Sequence, residues 1–454
     1  MTEDEVLAAV PTQLLIDGAW RDAAGGGRFA VTDPATDAVL CEVADAGEED
    51  ARAALDAACA AQPAWAATAP RERSEILRGA FEAIADRADD LALLMTLEMG
   101  KPVAESRAEI AYANDFVRWF AEEAVRIDGR YATSPNGSGR LLTIKQPVGP
   151  CLLITPWNFP MAMGTRKIAP AIAAGCTMVV KPARLTPLSM LALAEIMVEA
   201  GLPAGVLNVV TTSRSGEVTD PLFDDPRLRK LSFTGSTEVG RKLAARAMDQ
   251  VLRVSMELGG NAPFVVFADA DLEAALDGAM IAKLRNMGEA CTSANRFHVH
   301  ASLVDEFAAG LAERMARLRL GRGTDPDTDI GPLIDESQRE TVDELVRDAI
   351  ERGARVLTGG RVPDGPGHFY PPTVLVDVPA DARLLHEEIF GPVAPIRSFA
   401  DEDEAVAAAN GTEYGLVAYL YTRDLKRALR VAERLETGMV GLNQGMVSNA
   451  AAPF

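Results

Sequence analysis

The sequence has little of what builds metal centres, disulfide scaffolds or nucleic-acid surfaces. It contains five cysteines, an odd number with no CxxC pair, and only four histidines, which lack metal-ligand spacing. We therefore expect neither a disulfide framework nor a metal site. Basic residues are in deficit, 45 Lys and Arg against 66 Asp and Glu, and the net charge of -21 disfavours binding to a nucleic-acid backbone.

Long apolar runs are also missing. No segment reaches the length of a membrane span, and the acidic N-terminal residues 1–6 lack the basic and apolar pattern of a signal peptide. Unpaired cysteines are typical of a reducing compartment. The sequence thus predicts a cytoplasmic protein without membrane or nucleic-acid partners, and its 454 residues predict two or three domains.

The order of helical and strand patterns predicts an α/β protein. Short strands are expected over 13–45 and helices over 48–128, while the segment 140–145 predicts a protruding hairpin or an edge strand. After residue 149, buried strands alternate with helices in a first series and then in a second series over 256–443. The strands of the first series are predicted at 151–154, 177–180, 206–210 and 231–233. Such alternation is typical of parallel, doubly wound sheets.

Cys291 differs from the other cysteines in its neighbours. It follows a predicted helix and lies among small and polar residues, which places it on a connection rather than in an apolar core. Cys41, Cys59, Cys151 and Cys176 lie among Val, Ala, Leu and Ile, where a free cysteine behaves as a small hydrophobe. Cys291 is therefore the candidate nucleophile, with a structural thiol as the alternative on local sequence alone.

Two further segments carry groups suited to carbonyl chemistry. In the segment TPWNFP at 155–160, two prolines fix the backbone around Asn158, whose side-chain N–H would suit a developing oxyanion. The alternative is a turn in which Asn158 only satisfies its neighbours. Glu257 precedes an apolar residue and two glycines, surroundings that raise a carboxyl pKa and suit a general base. A lone Glu is otherwise a surface residue.

Strand–helix junctions in the first series suit a dinucleotide. One predicted strand ends at Thr234-Gly235 and a helix begins near Ser236, where free N–H groups and the helix dipole attract a pyrophosphate. Lys181 and Arg184 follow another strand at its carboxyl end, where open α/β sheets bind ligands. Neither segment is a GxGxxG or P-loop motif, so an ordinary turn and solvated cations are the alternatives.

Taken in order, these motifs resemble those of the aldehyde dehydrogenase superfamily. They are TPWNFP at 155–160, KPA at 181–183, FTGSTEVGR at 233–241, ELGG at 257–260, GxxC at 288–291 and EEIFGP at 387–392. DPAT at 33–36 and TLEMGKP at 96–102 also match, so the resemblance covers nearly the whole chain. It implies a Rossmann-type cofactor domain over 1–128 and 148–255 and an α/β catalytic domain over 256–443. It also implies oligomerisation segments at 129–147, forming a small protruding hairpin, and at 444–454.

The resemblance assigns roles to individual residues. Cys291 is expected to be the nucleophile, Glu257 the general base, and Asn158 an oxyanion donor together with the Cys291 backbone N–H. The residues expected to bind the cofactor are Thr155, Pro156, Trp157, Lys181, Ala183, Arg184, Gly235, Ser236, Leu258, Glu388 and Phe390. A homodimer or homotetramer is expected, and family members continue past the position of Phe454 with a glycine-rich segment and a short strand that helps close the oligomer.

Within the superfamily the chain resembles succinate-semialdehyde dehydrogenases most. Arg166, Arg285 and Ser448 match residues that clasp the distal carboxylate of the substrate there, and guanidinium groups offer forked donors to a carboxylate. We therefore predict oxidation of succinate semialdehyde to succinate, with glutarate semialdehyde or an uncharged aldehyde as alternatives. Arg184 occupies a position where many NAD-preferring relatives carry Glu, which predicts NADP⁺ as cofactor and NAD⁺ as a weaker alternative.

Two functions from other classes are alternatives to that of an aldehyde dehydrogenase. A catalytically silent nucleotide-binding relative is disfavoured because Cys291, Glu257 and Asn158 are all present. A cysteine hydrolase would need a histidine base, and none of the four histidines has a suitable local context. A regulatory disulfide found in some relatives is excluded because Ser293 replaces its second cysteine.

Overall fold

The computed structural model describes residues 1–452, so Pro453 and Phe454, at the end of the predicted segment 444–454, lie outside the described residues. Within that part of the chain the helices are α1 (Glu3–Ala9), α2 (Glu48–Ala67), α3 (Pro70–Asp86), α4 (Ala88–Met99), α5 (Val103–Glu123), α6 (Ala162–Ala173), α7 (Leu188–Glu199), α8 (Ser215–Asp224), α9 (Thr237–Met248), α10 (Leu272–Leu284), α11 (Val304–Ala316), α12 (Glu336–Glu351), α13 (Glu402–Asn410) and α14 (Leu425–Arg434). Single 3-10 turns occur at Ala124–Arg126, Arg285–Gly288 and Arg383–Leu385.

The strands form two large sheets and two separate ribbons. They are β1 (Leu14–Ile16), β2 (Ala19–Arg21), β3 (Arg28–Thr32), β4 (Val39–Ala44), β5 (Arg130–Thr133), β6 (Arg140–Thr143), β7 (Cys151–Ile154), β8 (Met178–Lys181), β9 (Leu207–Val209), β10 (Lys230–Thr234), β11 (Arg253–Glu257), β12 (Ala262–Val266), β13 (Ala294–His300), β14 (Arg355–Thr358), β15 (Thr373–Val376), β16 (Val393–Phe399), β17 (Val417–Tyr421) and β18 (Met439–Leu442).

The first sheet has the order β11-β10-β7-β8-β9-β1-β2, and its five strands from β11 to β9 are parallel. Every residue of β7 and β8 is buried, as expected for central strands with helices on both faces. The predicted parallel α/β fold is confirmed. The edge strand β11 continues to Glu257 and thus brings this residue into the first sheet, slightly past the predicted domain limit at 255.

The second sheet has the order β14-β15-β16-β13-β12-β17-β18 and is parallel except for β14. Aromatic rings fill its core around Phe264, which packs against Phe297, Tyr419 and Tyr421. Helices α10 and α11 contact each other and cover one face of this sheet. The second series of alternating strands and helices predicted from the sequence is therefore present. The residue limits of the domains remain a prediction.

The predicted hairpin is formed by β5 and β6, which pair antiparallel from Arg130 with Thr143 to Thr133 with Arg140. Its apolar side chains face solvent, with Tyr131 70% and Leu142 73% exposed. Helices α1 and α8 and strand β11 were not expected from the sequence. Among the helices of residues 1–452, none combines the length and the apolar character needed to cross a bilayer.

Candidate active site

Several predicted residues meet at the carboxyl edge of the first sheet. Strand β7 ends at Ile154 and leads directly into the segment that carries Asn158, and β10 ends beside it because Phe233 pairs with Ile154. Thr234 in turn pairs with Glu257, the last residue of β11. The parallel register therefore brings motifs that are far apart in sequence to one edge, where open α/β sheets bind ligands.

A cavity of about 240 Å³ opens at this edge and reaches Cys291 from the second half of the chain. Of the predicted site residues, those that line it are Pro156, Trp157, Asn158, Gly235, Ser236, Leu258, Cys291, Glu388 and Phe390. The rings of Trp157 and Phe390 pack edge to face, with centroids 5.3 Å apart, and form an apolar wall. The cavity thus combines a thiol, an amide donor and a carboxylate with apolar surface, as ligand sites do.

Three consecutive left-handed residues carry the chain to Cys291. Asn286, Met287 and Gly288 have φ of 56°, 54° and 79°, and a Cβ at Gly288 would collide with the carbonyl of Gly391. Left-handed backbone at non-glycine residues is strained and persists only where the surrounding structure fixes it. The turn ends α10 sharply and directs Cys291 into the cavity, where it is partly exposed.

Exposure alone does not distinguish the candidate nucleophile from the other thiols. Cys151 and Cys176 are buried as predicted, whereas Cys41 and Cys59 are half-buried like Cys291. Cys41 and Cys59 nevertheless pack against apolar cores, as their apolar neighbours in the sequence predict. What sets Cys291 apart is the cavity and the charged groups around it.

Charges of both signs act on the Cys291 thiol. Burial raises its pKa to about 12, and the Glu388 and Glu257 carboxylates add to this, while Arg166 and Arg285 act in the opposite direction. At neutral pH the cofactor-free protein therefore holds a neutral thiol. A cationic group bound in the cavity would favour the thiolate.

The side chain of Asn158 is fixed in place by its neighbours. Its Nδ2 donates one N–H to the carbonyl of Glu289 at 2.9 Å, which leaves the second amide hydrogen for a ligand in the cavity. The backbone carbonyl of Asn158 accepts hydrogen bonds from Lys101 Nζ at 2.8 Å and from Asn286 Nδ2 at 3.0 Å. Rigidly held donors of this kind are what an oxyanion needs.

Glu257 lies beside two cationic side chains at the end of β11. Burial raises the pKa of its carboxyl, whereas Arg166 and Lys167 oppose the rise. Burial also lowers the pKa of Lys167 to about 7, and its Nζ donates to Ser232 Oγ at 2.9 Å. A half-buried carboxyl with a raised pKa suits a general base that operates near neutral pH.

Arg166 and Arg285 approach the same region from different elements. Arg166 lies on α6 with its guanidinium 5.2 Å from the ring centre of Phe116, and Arg285 follows α10 with its guanidinium 4.8 Å from the ring centre of Phe159. Phe159 also lines the cavity. Both guanidinium groups act on the pKa of Cys291, so both are within electrostatic reach of the candidate nucleophile.

The groups predicted to bind a dinucleotide include Lys181 at the end of β8 and Ser236 just after the end of β10. The side chain of Lys181 is buried, and its Nζ has one hydrogen bond within residues 1–452, to the carbonyl of Pro182 at 3.0 Å. Burial lowers the pKa of Lys181 to about 8. Ser236 caps α9, and a Cβ at Gly240 would collide with Leu258. The unused N–H groups of Lys181 and the open start of α9 suit hydroxyl and phosphate oxygens.

Glu388 adds a carboxylate to the opposite wall. Its Oε1 accepts a hydrogen bond from the Gly260 N–H at 2.9 Å, and burial raises its pKa to about 7 while Lys283 opposes the rise. A Cβ at Gly259 would collide with this carboxylate, which explains the glycine there. A half-buried carboxylate that faces the cavity suits the hydroxyls of a ribose.

Eight predicted residues lie outside the cavity lining, namely Glu257, Lys181, Arg166 and Arg285, described above, and Thr155, Ala183, Arg184 and Ser448. Thr155 is buried beneath it, Ala183 is half-buried, and Arg184 is exposed with no ion pair in the described part of the chain. Ser448 is half-buried in the loop after β18, and the structure gives it no hydrogen bond within residues 1–452. Their predicted roles in binding stay predictions.

Other residues of the site had not been singled out from the sequence. Lys101 and Glu109 form a buried ion pair at 2.6 Å, and Glu109 also accepts hydrogen bonds from the Met161 and Ala162 N–H groups. Two charged residues in helical, apolar surroundings are a weak signal, and only their burial shows the pairing. Gln338 and Thr341 of α12 line the cavity without any motif that could have identified them.

Comparison with known proteins agrees with this geometry. Residues 20–454 match the model of the aldehyde dehydrogenase family. The chain is 61% identical over 416 residues to a succinate-semialdehyde dehydrogenase of Paenarthrobacter nicotinovorans, covering 92% of each chain. It is 52% identical over 442 residues to a glutarate-semialdehyde dehydrogenase of Pseudomonas putida, covering 97% of this chain and 92% of the relative. A crystal structure of an NADP-dependent enzyme of Escherichia coli superposes with a TM-score of 0.95 at 52% identity, covering 97% of this chain and 91% of that one.

Proposed function

The chain belongs to the aldehyde dehydrogenase family, and from that membership we propose that it oxidises succinate semialdehyde to succinate with NADP⁺. The substrate assignment rests on two guanidinium groups, those of Arg166 and Arg285, which lie within electrostatic reach of Cys291. A carboxylate at the far end of a short aldehyde is the group they fit best. The relative of Paenarthrobacter nicotinovorans, named for this substrate, supports the assignment.

The first half of the reaction forms a bond between Cys291 and the substrate. Sγ attacks the aldehyde carbon as a thiolate, and the carbonyl electron pair moves to oxygen, which gives a thiohemiacetal oxyanion. The second N–H of Asn158 and the Cys291 backbone N–H donate to this oxyanion. Because Asn158 is already held by Lys101, Asn286 and Glu289, it needs no rearrangement to do so.

NADP⁺, when bound, supplies the nicotinamide ring that accepts the hydride as the adduct becomes a thioester. Lys181 and the start of α9 would bind its sugar and phosphate oxygens, and Glu388 and Phe390 would contact its nicotinamide half. Arg184 favours NADP⁺ over NAD⁺ because its exposed guanidinium attracts a 2′-phosphate. The NADP-dependent enzyme of Escherichia coli supports this choice.

The second half of the reaction releases the acid. Glu257 takes a proton from a water molecule, the resulting hydroxide adds to the thioester carbon, and the C–S bond breaks with Cys291 leaving as thiolate. Burial raises the pKa of Glu257, and a higher pKa makes the carboxylate a stronger base toward water. Arg166 and Lys167 oppose this rise in the pKa and so favour the ionised carboxylate.

Steady-state kinetics with two aldehydes test the substrate assignment. We expect a higher kcat/KM for succinate semialdehyde than for butanal, an uncharged aldehyde of equal length. Arg285→Ala should lower the ratio of the two values by about 10- to 100-fold, since a hydrogen bond to a charged group contributes about 1.5–3 kcal/mol. Arg126→Ala, which removes an exposed guanidinium paired with Glu123, is the control. An unchanged ratio in Arg285→Ala would refute the assignment.

Glutarate semialdehyde is the second candidate substrate. The relative of Pseudomonas putida, named for that aldehyde, is 52% identical to this chain. The two acids differ by one methylene group, which a pocket discriminates by about 10- to 200-fold at most. Comparing kcat/KM for both aldehydes decides between them.

We further propose that the protein acts in the cytoplasm as a homodimer or homotetramer. The apolar side chains of the β5–β6 ribbon support an oligomer, because Tyr131 and Leu142 are 70% and 73% exposed, and exposed apolar surface of this kind marks a protein interface. The molar mass in solution, measured by light scattering, tests this. Leu142→Lys should lower that mass if the ribbon forms the interface.

A further inference from the structure

One face of helix α5 contacts the site at several points. Four residues spaced by three and four positions form this face, which we call the α5 stripe: Glu105, Glu109, Tyr112 and Phe116. Glu105 accepts a hydrogen bond from the Asn286 N–H at 3.3 Å, and Glu109 pairs with Lys101. The acidic half of the stripe therefore supports the segments that carry the candidate oxyanion donors.

The aromatic half of the stripe lies beneath the two arginines. The guanidinium carbon of Arg285 is 5.5 Å from the ring centre of Tyr112, and that of Arg166 is 5.2 Å from the ring centre of Phe116. The two rings pack edge to face with centroids 5.0 Å apart, so each fixes the orientation of the other. Phe159 contacts Arg285 as well, at 4.8 Å. The three distances from a guanidinium carbon to a ring centre are within the range of a cation–π interaction.

Aromatic rings hold a guanidinium without using its donors. A carboxylate in the same place would neutralise the charge and occupy the N–H groups, and it would compete with an anionic ligand. The face of a ring attracts the cation through its quadrupole and leaves the edge of the guanidinium free. Arg285 fits this description, since its side chain has no hydrogen bond or ion pair with any residue of the described chain, 1–452.

We propose that Tyr112 and Phe116 are positioning residues that set the preference for aldehydes with a distal carboxylate, because their rings hold Arg285 and Arg166 in the orientation that receives it. This inference rests on the proposed function. The two rings act through the arginines and not on the reacting atoms. Their removal is therefore expected to change the choice of substrate more than the chemistry.

The test compares two aldehydes in variants of the intact protein. Tyr112→Leu and Phe116→Leu remove one ring each, and Tyr112→Phe keeps the ring. Phe120→Leu removes a half-buried ring of α5 that packs against the apolar core. With NADP⁺ saturating, the kcat/KM ratio of succinate semialdehyde to butanal should fall by about 5- to 30-fold in both ring-deleted variants. The ratio should stay at the wild-type value in Tyr112→Phe and Phe120→Leu.

Each outcome decides a separate point. If the wild-type protein shows no preference for succinate semialdehyde, the proposed substrate fails, and this inference fails with it. If the preference exists and the ring-deleted variants lower kcat/KM for both aldehydes equally, the rings have only a structural role and the inference alone is overturned. The inhibition constant of succinate, measured with butanal as substrate, gives a second readout. It should rise in Phe116→Leu even if Tyr112→Leu does not fold, and an unchanged constant would overturn the inference.

Discussion

The substitution Asn158→Ala separates catalysis from stability at the candidate oxyanion site. The variant removes the amide that is aimed into the cavity and leaves the backbone carbonyl, which Lys101 and Asn286 hold, in place. The carbonyl of Glu289, which also receives the Asn158 N–H, keeps a second donor because Asn286 Nδ2 lies 2.9 Å away. No buried acceptor therefore loses its last partner in this variant.

The expected magnitudes follow from these contacts. Loss of one oxyanion donor lowers kcat by about 10²–10³, or about 2.7–4 kcal/mol of transition-state stabilisation. The free energy of unfolding should fall by only about 0.5–1.5 kcal/mol, the contribution of one hydrogen bond whose acceptor stays paired. The effect on catalysis should thus clearly exceed the effect on stability.

Asn114→Ala is the matched control. Asn114 is a buried asparagine on α5 whose Nδ2 donates to the Phe81 carbonyl at 3.0 Å, away from the cavity. We expect this variant to lose stability to a similar or greater extent while it keeps kcat. The assays are the absorbance of reduced nicotinamide and urea-induced unfolding. If Asn158→Ala keeps kcat, or if Asn114→Ala loses as much kcat as Asn158→Ala, the assigned role of Asn158 is wrong.

Three further predictions concern the other candidate groups. Glu257→Gln should stop the reaction at the thioester, so mass spectrometry should find the acyl group on Cys291, and normal turnover would rule out Glu257 as the base. In the cofactor-free protein, alkylation of Cys291 by iodoacetamide should keep accelerating above about pH 8.5, the ordinary pKa of a thiol, because burial raises the pKa of this thiol and only the thiolate reacts. A plateau below that pH would contradict the electrostatic description of the site. Arg184→Glu should raise KM for NADP⁺ by about tenfold or more (about 1.4 kcal/mol) with little change in KM for NAD⁺. Equal changes for both cofactors would show that Arg184 does not bind the 2′-phosphate.

Motifs at strand ends were the part of the site that the sequence could predict. The segments with Asn158 and Gly235 each follow a predicted strand, and the parallel register then brings them together. Glu257 joins them through β11, a strand that was not expected from the sequence. The connection that carries Cys291 was recognisable because small and polar residues follow a helical pattern. Local sequence determines these features, so sequence reasoning found them.

Contacts between distant segments could not be predicted in the same way. Lys101 lies on the loop before α5, and nothing near it indicates that it binds the carbonyl of Asn158. The left-handed conformation of Asn286 is imposed by tertiary contacts. By contrast, α1 had a local signal that was overlooked, because Thr2 and Glu5 form a capping box at its start.

The two candidate oxyanion donors are the side chain of Asn158, which follows β7 of the first sheet, and the backbone N–H of Cys291, which precedes β13 of the second sheet. Side chains that connect these two segments therefore have to fix the distance between the donors. The amide of Asn286 does this, because its Nδ2 binds the carbonyl of Asn158 at 3.0 Å and that of Glu289 at 2.9 Å, two residues before Cys291. Lys101 holds the same Asn158 carbonyl and is itself fixed by Glu109. Donors held in this way need no reorganisation when the oxyanion forms, which is the main source of electrostatic catalysis. The left-handed strain of this turn, about 1–3 kcal/mol at Met287, is therefore the energetic cost of a preorganised site.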